Sequence, residues 1–302
     1  VQGLEDFRAV TSARLGADAE PWLATLDGFI QTLRARWGLD LGEPYERGEI
    51  GWTVRATRDR EPVVLKITFP DGWFDEETAA LTAWSGDGAV RLLGSDENGA
   101  QLLERAEPGT SLLEEEDEDS ALQVAAGIME RLWLPDPGSI TPVADEVTEW
   151  ARTMPGRHHL IGRPFERTMV DEAVAVLRDL AASPTERFLL HGDLHLGNVL
   201  AAEREPWLAI DPKPLIGERA FDVAALIRDK QEGLVEDPAA GRLRVQHRFD
   251  LLAERFDLDR DRLKGWSVGI MTDYALWCFE VGDTECGERQ AEVARMLRDL
   301  QV

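Results

Sequence analysis

The sequence predicts an α+β chain in two lobes, a small β-sheet lobe over residues 1–104 and a larger, mainly helical lobe over 105–302. Three observations carry this. The 302 residues amount to about two typical domains. Short runs rich in β-branched and aromatic residues, separated by turn residues, cluster between Pro44 and Glu104. Beyond Glu107-Pro108-Gly109 the apolar residues recur mostly at helical spacing.

Element by element, Trp22, Leu26, Phe29, Ile30, Leu33 and Trp37 fall on one face of a helix over Pro21–Trp37. Pro21 suits its first turn and Gly38 the left-handed residue after its end. Trp52–Ala56 and Val63–Phe69 read as antiparallel strands joined by the turn Arg58-Asp59-Arg60-Glu61-Pro62. A helix over Asp75–Trp84 follows, then strands at Ala89–Leu93 and Ala100–Glu104 around Ser95–Gly99. The acidic block Glu114–Asp119 leads into a helix over Ala121–Trp133, where carboxylates meet the positive end of the helix dipole. Further helices are expected at Pro142–Thr153, Thr168–Ala182, Phe221–Asp229, Leu243–Phe256, Leu263–Glu280 and Arg289–Leu300. One short hairpin, Val199–Ala202 and Trp207–Ile210 with Glu203-Arg204-Glu205-Pro206 as its turn, interrupts them.

Composition narrows the function classes. With 33 Lys+Arg against 58 Asp+Glu the net charge is −25, which repels nucleic acid and anionic membrane surfaces and attracts cationic small molecules. The same acidity also serves solubility. No run approaches the roughly 18 apolar residues of a membrane span, and the first thirty residues carry Glu5, Asp6, Arg8, Asp18 and Glu20. Cys278 and Cys286 make no disulfide framework and match no zinc-ligand spacing, so a reducing cytoplasm is expected.

The chemistry concentrates in Phe188-Leu189-Leu190-His191-Gly192-Asp193-Leu194-His195-Leu196-Gly197-Asn198-Val199-Leu200 and the following Trp207-Leu208-Ala209-Ile210-Asp211. Pairing the hairpin sets Asn198 opposite Asp211, with Asp193 on the loop that feeds it. One amide and one carboxylate at a strand end suit a hard cation that keeps water and phosphate oxygens as its other ligands, and magnesium is the natural candidate. Asp193 is then free to accept a proton from a substrate hydroxyl. An Asp followed by Asn at this spacing, with a later metal-binding Asp, is also the arrangement of the protein-kinase catalytic loop. His191 and His195 are read as structural or orienting, and Asp222 as a cap or a buried brace.

The N-terminal lobe can be tested against that idea. Lys66 lies inside the apolar strand Val63-Val64-Leu65-Lys66-Ile67, where a buried ammonium needs an anion. Nucleotide phosphates and a carboxylate from the next helix supply one in kinases, and Glu77 is placed for this. The alternative is a lysine on the solvent face of an edge strand. Gly48, Gly51 and Thr53 fall where a phosphate-covering turn would lie, although the full glycine-rich motif is absent. Glu104 and Ala106 fall where a hinge would present backbone groups to adenine. In the helix expected over Leu263–Glu280 of the C-terminal lobe, Asp273, Trp277 and Glu280 share a face. The two carboxylates either bind a guanidinium- or amine-bearing sugar or brace a neighbouring helix through arginines.

Taken together, the chain resembles the aminoglycoside/hydroxyurea antibiotic resistance kinase family. The resemblance rests on Trp37-Gly38-Leu39, Gly88–Leu93, Leu103-Glu104-Arg105 with Glu107-Pro108-Gly109-Thr110, His191–His195 with Gly197–Leu200, and Glu205–Pro214. It implies a two-lobed protein-kinase-like fold, ATP and Mg²⁺ as co-substrates, and phosphoryl transfer to a hydroxyl of a small, cationic acceptor such as streptomycin or a related aminoglycoside. It carries over Asp193 as catalytic base, Asn198 and Asp211 as metal ligands, and Lys66 with Glu77 as the phosphate anchor. Lys213 belongs to the same pattern, facing phosphate or substrate. Leu196 departs from it, standing where proline or histidine is frequent in the family. A metabolic kinase acting on an endogenous amino sugar would share every one of these residues, and a nucleotide-binding regulator without catalysis is the third reading.

Overall fold

The computed structural model describes residues 3–45 and 51–302, so Gly48 of the candidate phosphate turn lies outside the described residues. The chain divides into two compact units, one of residues 1–110 with 200–210 and one of 111–199 with 211–302.

The first unit contains helices α1 (Leu4–Leu15), α2 (Glu20–Leu23) and α3 (Leu26–Trp37), then strands β1 (Leu39–Pro44), β2 (Gly51–Arg58) and β3 (Glu61–Thr68). Helix α4 (Gly72–Trp84) and strands β4 (Leu92–Asp96), β5 (Ala100–Glu104) and β6 (Pro108–Ser111) follow. Five strands form a sheet in the order β1-β2-β3-β5-β4. The β2–β3 register runs from Gly51 opposite Thr68 to Arg58 opposite Glu61, and the two turn residues Asp59 and Arg60 both take left-handed backbone angles. Alternate residues Trp52, Val54 and Ala56 of β2 and Val63, Leu65 and Ile67 of β3 enter the same core as Leu26, Ile30 and Leu33 of α3.

The expected helix over Pro21–Trp37 is broken at Ala24–Thr25. Thr25 Oγ1 donates to the Trp22 carbonyl, a local bond that competes with helix continuation. Gly38 closes α3 at φ 64°, as its position predicts. The expected strand at Ala89–Leu93 begins later, at Leu92, and Ala89 instead makes an isolated bridge to Ala209.

The second unit contains α5 (Glu118–Leu132), β7 (Leu134–Pro135), α6 (Val143–Leu160), α7 (Arg167–Ala182) and β8 (Phe188–Leu190). After the hairpin of β9 (Val199–Ala202) and β10 (Trp207–Ala209), whose residues 200–210 belong to the first unit, comes β11 (Leu215–Gly217). Helices α8 (Arg219–Ile227), α9 (Gln231–Val235), α10 (Pro238–Phe256), α11 (Arg260–Glu280) and α12 (Thr284–Arg298) complete the chain. The acidic block behaves as expected at the start of α5, where Asp117 caps by accepting from the Ser120 amide.

The hairpin is grouped with the first unit rather than with the helices around it in sequence. Its Ala209 amide donates to the Gly88 carbonyl at 2.8 Å, and Arg204 in its turn grips Glu104 through Nε at 2.7 Å and Nη2 at 2.9 Å. Residues 211–302 then return to the helical unit, where β8 pairs with both β11 and β7 in a small antiparallel sheet. Cys278 and Cys286 are joined as a disulfide between α11 and α12. No helix among the described residues is long and apolar enough to cross a membrane.

Candidate active site

Backbone hydrogen bonds build the loop after β8 before any functional side chain enters it. The amides of His191 and Gly192 donate to the Asp222 carboxylate at 3.2 and 2.8 Å, and Trp133 Nε1 donates to it at 3.0 Å. Asp222 is therefore the buried brace that its place in the first turn of α8 suggested. Burial pushes its carboxyl up from the usual range, against the pull of these donors.

Gly192 lets the chain turn back. Its φ is +77°, and a Cβ there would lie 1.9 Å from the Lys213 carbonyl oxygen. The same segments are tied by a bond from the Lys213 amide to the His191 carbonyl at 2.9 Å. Gly192→Ala therefore adds left-handed strain to a backbone collision, for an expected loss of about 2–4 kcal/mol. A denaturant midpoint equal to that of the wild type would contradict this reading of the loop.

This pinning sets Asp193 among cations. Lys213 Nζ lies 2.8 Å from Oδ2, and Arg228 Nη2 lies 3.4 Å from Oδ1. Burial alone would raise the Asp193 carboxyl, but Lys213, Arg228 and His195 together hold it below the usual carboxylate range. Asn198 Nδ2 donates to the Asp193 carbonyl at 2.9 Å, which fixes the amide on the same loop. His195 is orienting, as expected: its Nδ1 accepts from the Gly197 amide at 3.1 Å, and burial lowers its pKa so that the neutral ring is favoured.

Asp211 follows β10 at a left-handed φ of 55° and is exposed. An anchored amide and an exposed carboxylate, at the start and the end of one hairpin, are the donor types a magnesium ion takes while keeping water and phosphate oxygens. The residues present fit such an ion.

In the first unit, Lys66 Nζ contacts both oxygens of Glu77, at 2.7 and 2.9 Å. The lysine is on an inner strand between β2 and β5, not on an edge, and both side chains are largely buried. Thr53 pairs with Lys66 across β2–β3, and a Cβ on Gly51 would come within 3.6 Å of Lys66 Cε. Gly51 and Thr53 are thus brought to the lysine. Glu104 is committed through its side chain to Arg204 and through its amide to the Arg91 carbonyl. The hinge expectation for Glu104 is reduced to its carbonyl, and Ala106 lies on the segment between β5 and β6.

The carboxylates of α11 find their partner inside the protein. Arg157 of α6 reaches Glu280 through Nε and Nη2 and Asp273 through Nη1. This is the bracing alternative, and the guanidinium that was sought from a substrate is supplied by α6. Trp277 instead stacks on Tyr274, with ring centroids 5.4 Å apart and planes 8° apart. Tyr274 and Arg228 are the residues that sequence reasoning missed. Arg228 sits 4.5 Å over the Tyr274 ring as well as beside Asp193. In the sequence it is only the first of the three charges, Arg228-Asp229-Lys230, that close the apolar run Val223–Ile227.

The model of the aminoglycoside/hydroxyurea antibiotic resistance kinase family matches residues 44–282. The chain belongs to this family. The kinase is 34% identical over 300 residues to streptomycin 6-kinase of Streptomyces glaucescens, covering 97% of this chain and 96% of that one. It is 37% identical over 287 residues to hydroxyurea phosphotransferase of Kitasatospora aureofaciens, covering 93% and 82%. Among solved structures it resembles an aminoglycoside phosphotransferase APH(4)-Ia variant in ternary complex with AMP-PNP and hygromycin B, at TM-score 0.66, 17% identity and 89% and 97% coverage. It also resembles choline kinase LicA of Streptococcus pneumoniae, at TM-score 0.60, 14% identity and 90% and 99% coverage. The fold is thus the two-lobed protein-kinase-like one, and the kinase is a phosphotransferase with an alcohol group as acceptor.

Proposed function

We propose that this kinase transfers the γ-phosphoryl group of ATP, with Mg²⁺, to a hydroxyl of a small cationic molecule of the aminoglycoside class. The observation that carries the reading is Asp193, held as a carboxylate by Lys213 and Arg228 on a loop whose backbone Asp222 fixes. Asp193 orients the acceptor hydroxyl and receives its proton while the acceptor oxygen bonds to phosphorus and the bond to the ADP oxygen breaks. Lys66, aligned by Glu77, takes the α/β-phosphates. Asn198 and Asp211 hold the metal, which when bound neutralises phosphate charge. Gly51 and Thr53 border the phosphates, and Ala106 with the Glu104 carbonyl offers backbone groups to the base.

The acceptor class is supported by streptomycin 6-kinases at 34 and 36% identity over 93% or more of this chain, together with the net charge of −25. Trp277 and its stacked partner Tyr274 stand near Asp193 through Arg228 and are the acceptor-side surface in this reading. Asp273 and Glu280 brace α6 and are not assigned to substrate. A metabolic kinase for an endogenous amino sugar is tested by the same assay.

MgATP should raise the melting temperature, because a ligand that binds only the native state adds RT ln(1 + [L]/Kd). ATP consumption should then appear with streptomycin in a panel that includes hydroxyurea and amino sugars. Melting indifferent to MgATP removes the nucleotide reading, and turnover confined to hydroxyurea or an amino sugar removes the acceptor class.

A further inference from the structure

We propose that Arg228 is a second functional cation of the transfer site, whose Nε–Nη2 edge takes an oxygen of the phosphoryl group as it passes to the acceptor. The inference rests on the phosphotransfer reading of Asp193 and adds a cation outside the motifs to Lys213, the one the family pattern supplies.

The argument starts from how arginines are used elsewhere in this chain. The guanidinium presents two parallel donors along the edge formed by Nε and Nη2, which matches two oxygens of an oxyanion. Arg204 uses that edge on Glu104 at 2.7 and 2.9 Å, Arg157 uses it on Glu280 at 2.8 and 2.9 Å, and Arg295 uses it on Glu166 at 2.9 and 2.7 Å. In each case both donors are filled at short range.

Arg228, like Arg8, Arg34 and Arg289, leaves a buried Nε without a hydrogen-bond partner among the described residues, and of these four it is the one that stands beside Asp193. Its Nη2 makes one long bond, 3.4 Å to Asp193 Oδ1. A buried donor without an acceptor costs free energy that a ligand oxygen would recover. The side chain is 15% exposed, and the Tyr274 ring covers one face of the guanidinium, 4.5 Å from Cζ. The cation is therefore held in place by packing rather than by its ion pair. An oxygen bound at the vacant half of the edge lies beside Oδ1 of the residue that receives the acceptor proton. During transfer that neighbour is an equatorial oxygen of the phosphoryl group, and negative charge there suits a guanidinium better than a neutral donor. Arg228 forms and breaks no covalent bond. It holds charge while the phosphorus–oxygen bond to ADP opens and the bond to the acceptor closes.

The test uses Arg228→Lys and Arg228→Gln in the full chain. Lysine keeps the charge and the aliphatic stem but not the paired donors, and glutamine removes the charge. Melting is measured with MgADP and then with MgADP plus aluminium fluoride, which mimics the planar phosphoryl group, and turnover is measured with streptomycin. The wild type should gain stability from MgADP and a further increment from fluoride. Both variants should keep the MgADP shift and lose most of the fluoride increment. Their kcat should fall by about 10²-fold for Gln and about tenfold for Lys, with KM for ATP within about threefold. Variants that keep the fluoride increment and the wild-type kcat overturn the proposal. So does a Lys variant that loses the MgADP shift along with the fluoride increment, since that marks a merely structural arginine. A wild type that responds to MgADP but not to fluoride overturns this proposal alone, whereas one that ignores MgADP overturns the nucleotide reading beneath it.

Discussion

Asp193→Asn should lower kcat by about 10²–10⁴-fold while leaving MgATP affinity within a few-fold of the wild type. The substitution keeps the size of the side chain and one oxygen, so the loop held by Asp222 should not move. What it removes is charge and basicity. Lys213, 2.8 Å from Oδ2, then loses this anion, and in the proposed reading the acceptor hydroxyl loses the group that receives its proton. In a loose phosphoryl-transfer transition state the nucleophile needs little activation, so much of the loss is positional. In the proposed reading nucleotide affinity rests instead on the Lys66–Glu77 pair and the backbone beyond β5, which this change does not touch. Steady-state kinetics with a separate measurement of MgATP binding decides it. Wild-type turnover, or lost nucleotide binding with turnover spared, would show that the role belongs to another residue.

The contrast between Lys66 and Asp273 shows what a sequence carries about a site. Lys66 was legible because its neighbours Val63–Ile67 are apolar on both sides, so a partner had to exist, and helix geometry put Glu77 within reach. Asp273 and Glu280 gave the same kind of signal, carboxylates on an apolar helix face, but the partner they demanded was Arg157 from a helix more than a hundred residues earlier. Pattern reveals that a buried charge needs compensation. It does not reveal whether the compensation is internal. Arg228 was illegible for the converse reason, since a single arginine after an apolar helix is common, and only the fold sets it between Asp193 and Tyr274.

The same logic governs the secondary structure. Long elements with a full period, such as α5, α7 and α11, were placed to within a few residues. The strands β7, β8 and β11, of two or three residues each, are too short to show alternation, and their pairing is created by contacts distant in sequence. That small sheet matters because β8 delivers the chain to His191 and β11 receives it after Lys213. The loop after β8 was therefore singled out from its residues while the scaffold that aims it was not.

That scaffold converges on Asp222, and Asp222→Ala should cost about 4–5 kcal/mol of stability. The side chain is 1% exposed and accepts from three donors, the amides of His191 and Gly192 and the indole N–H of Trp133. Alanine leaves all three without this acceptor, the His191 amide buried and the other two partly so, at a cost of up to about 1–3 kcal/mol each, partly offset because burying the carboxylate was itself unfavourable. Burial raises the carboxyl's pKa in the native protein, which is the sign of that opposing cost. Asp222→Asn should lose less, because its oxygen can still serve the donors on one side while its amide group faces a donor on the other. The order wild type, Asn, Ala should appear in denaturant midpoints at unchanged slope, and kcat should fall with it because Asp193 follows Gly192 directly. An alanine variant as stable as the wild type would mean that the loop is held by something other than Asp222.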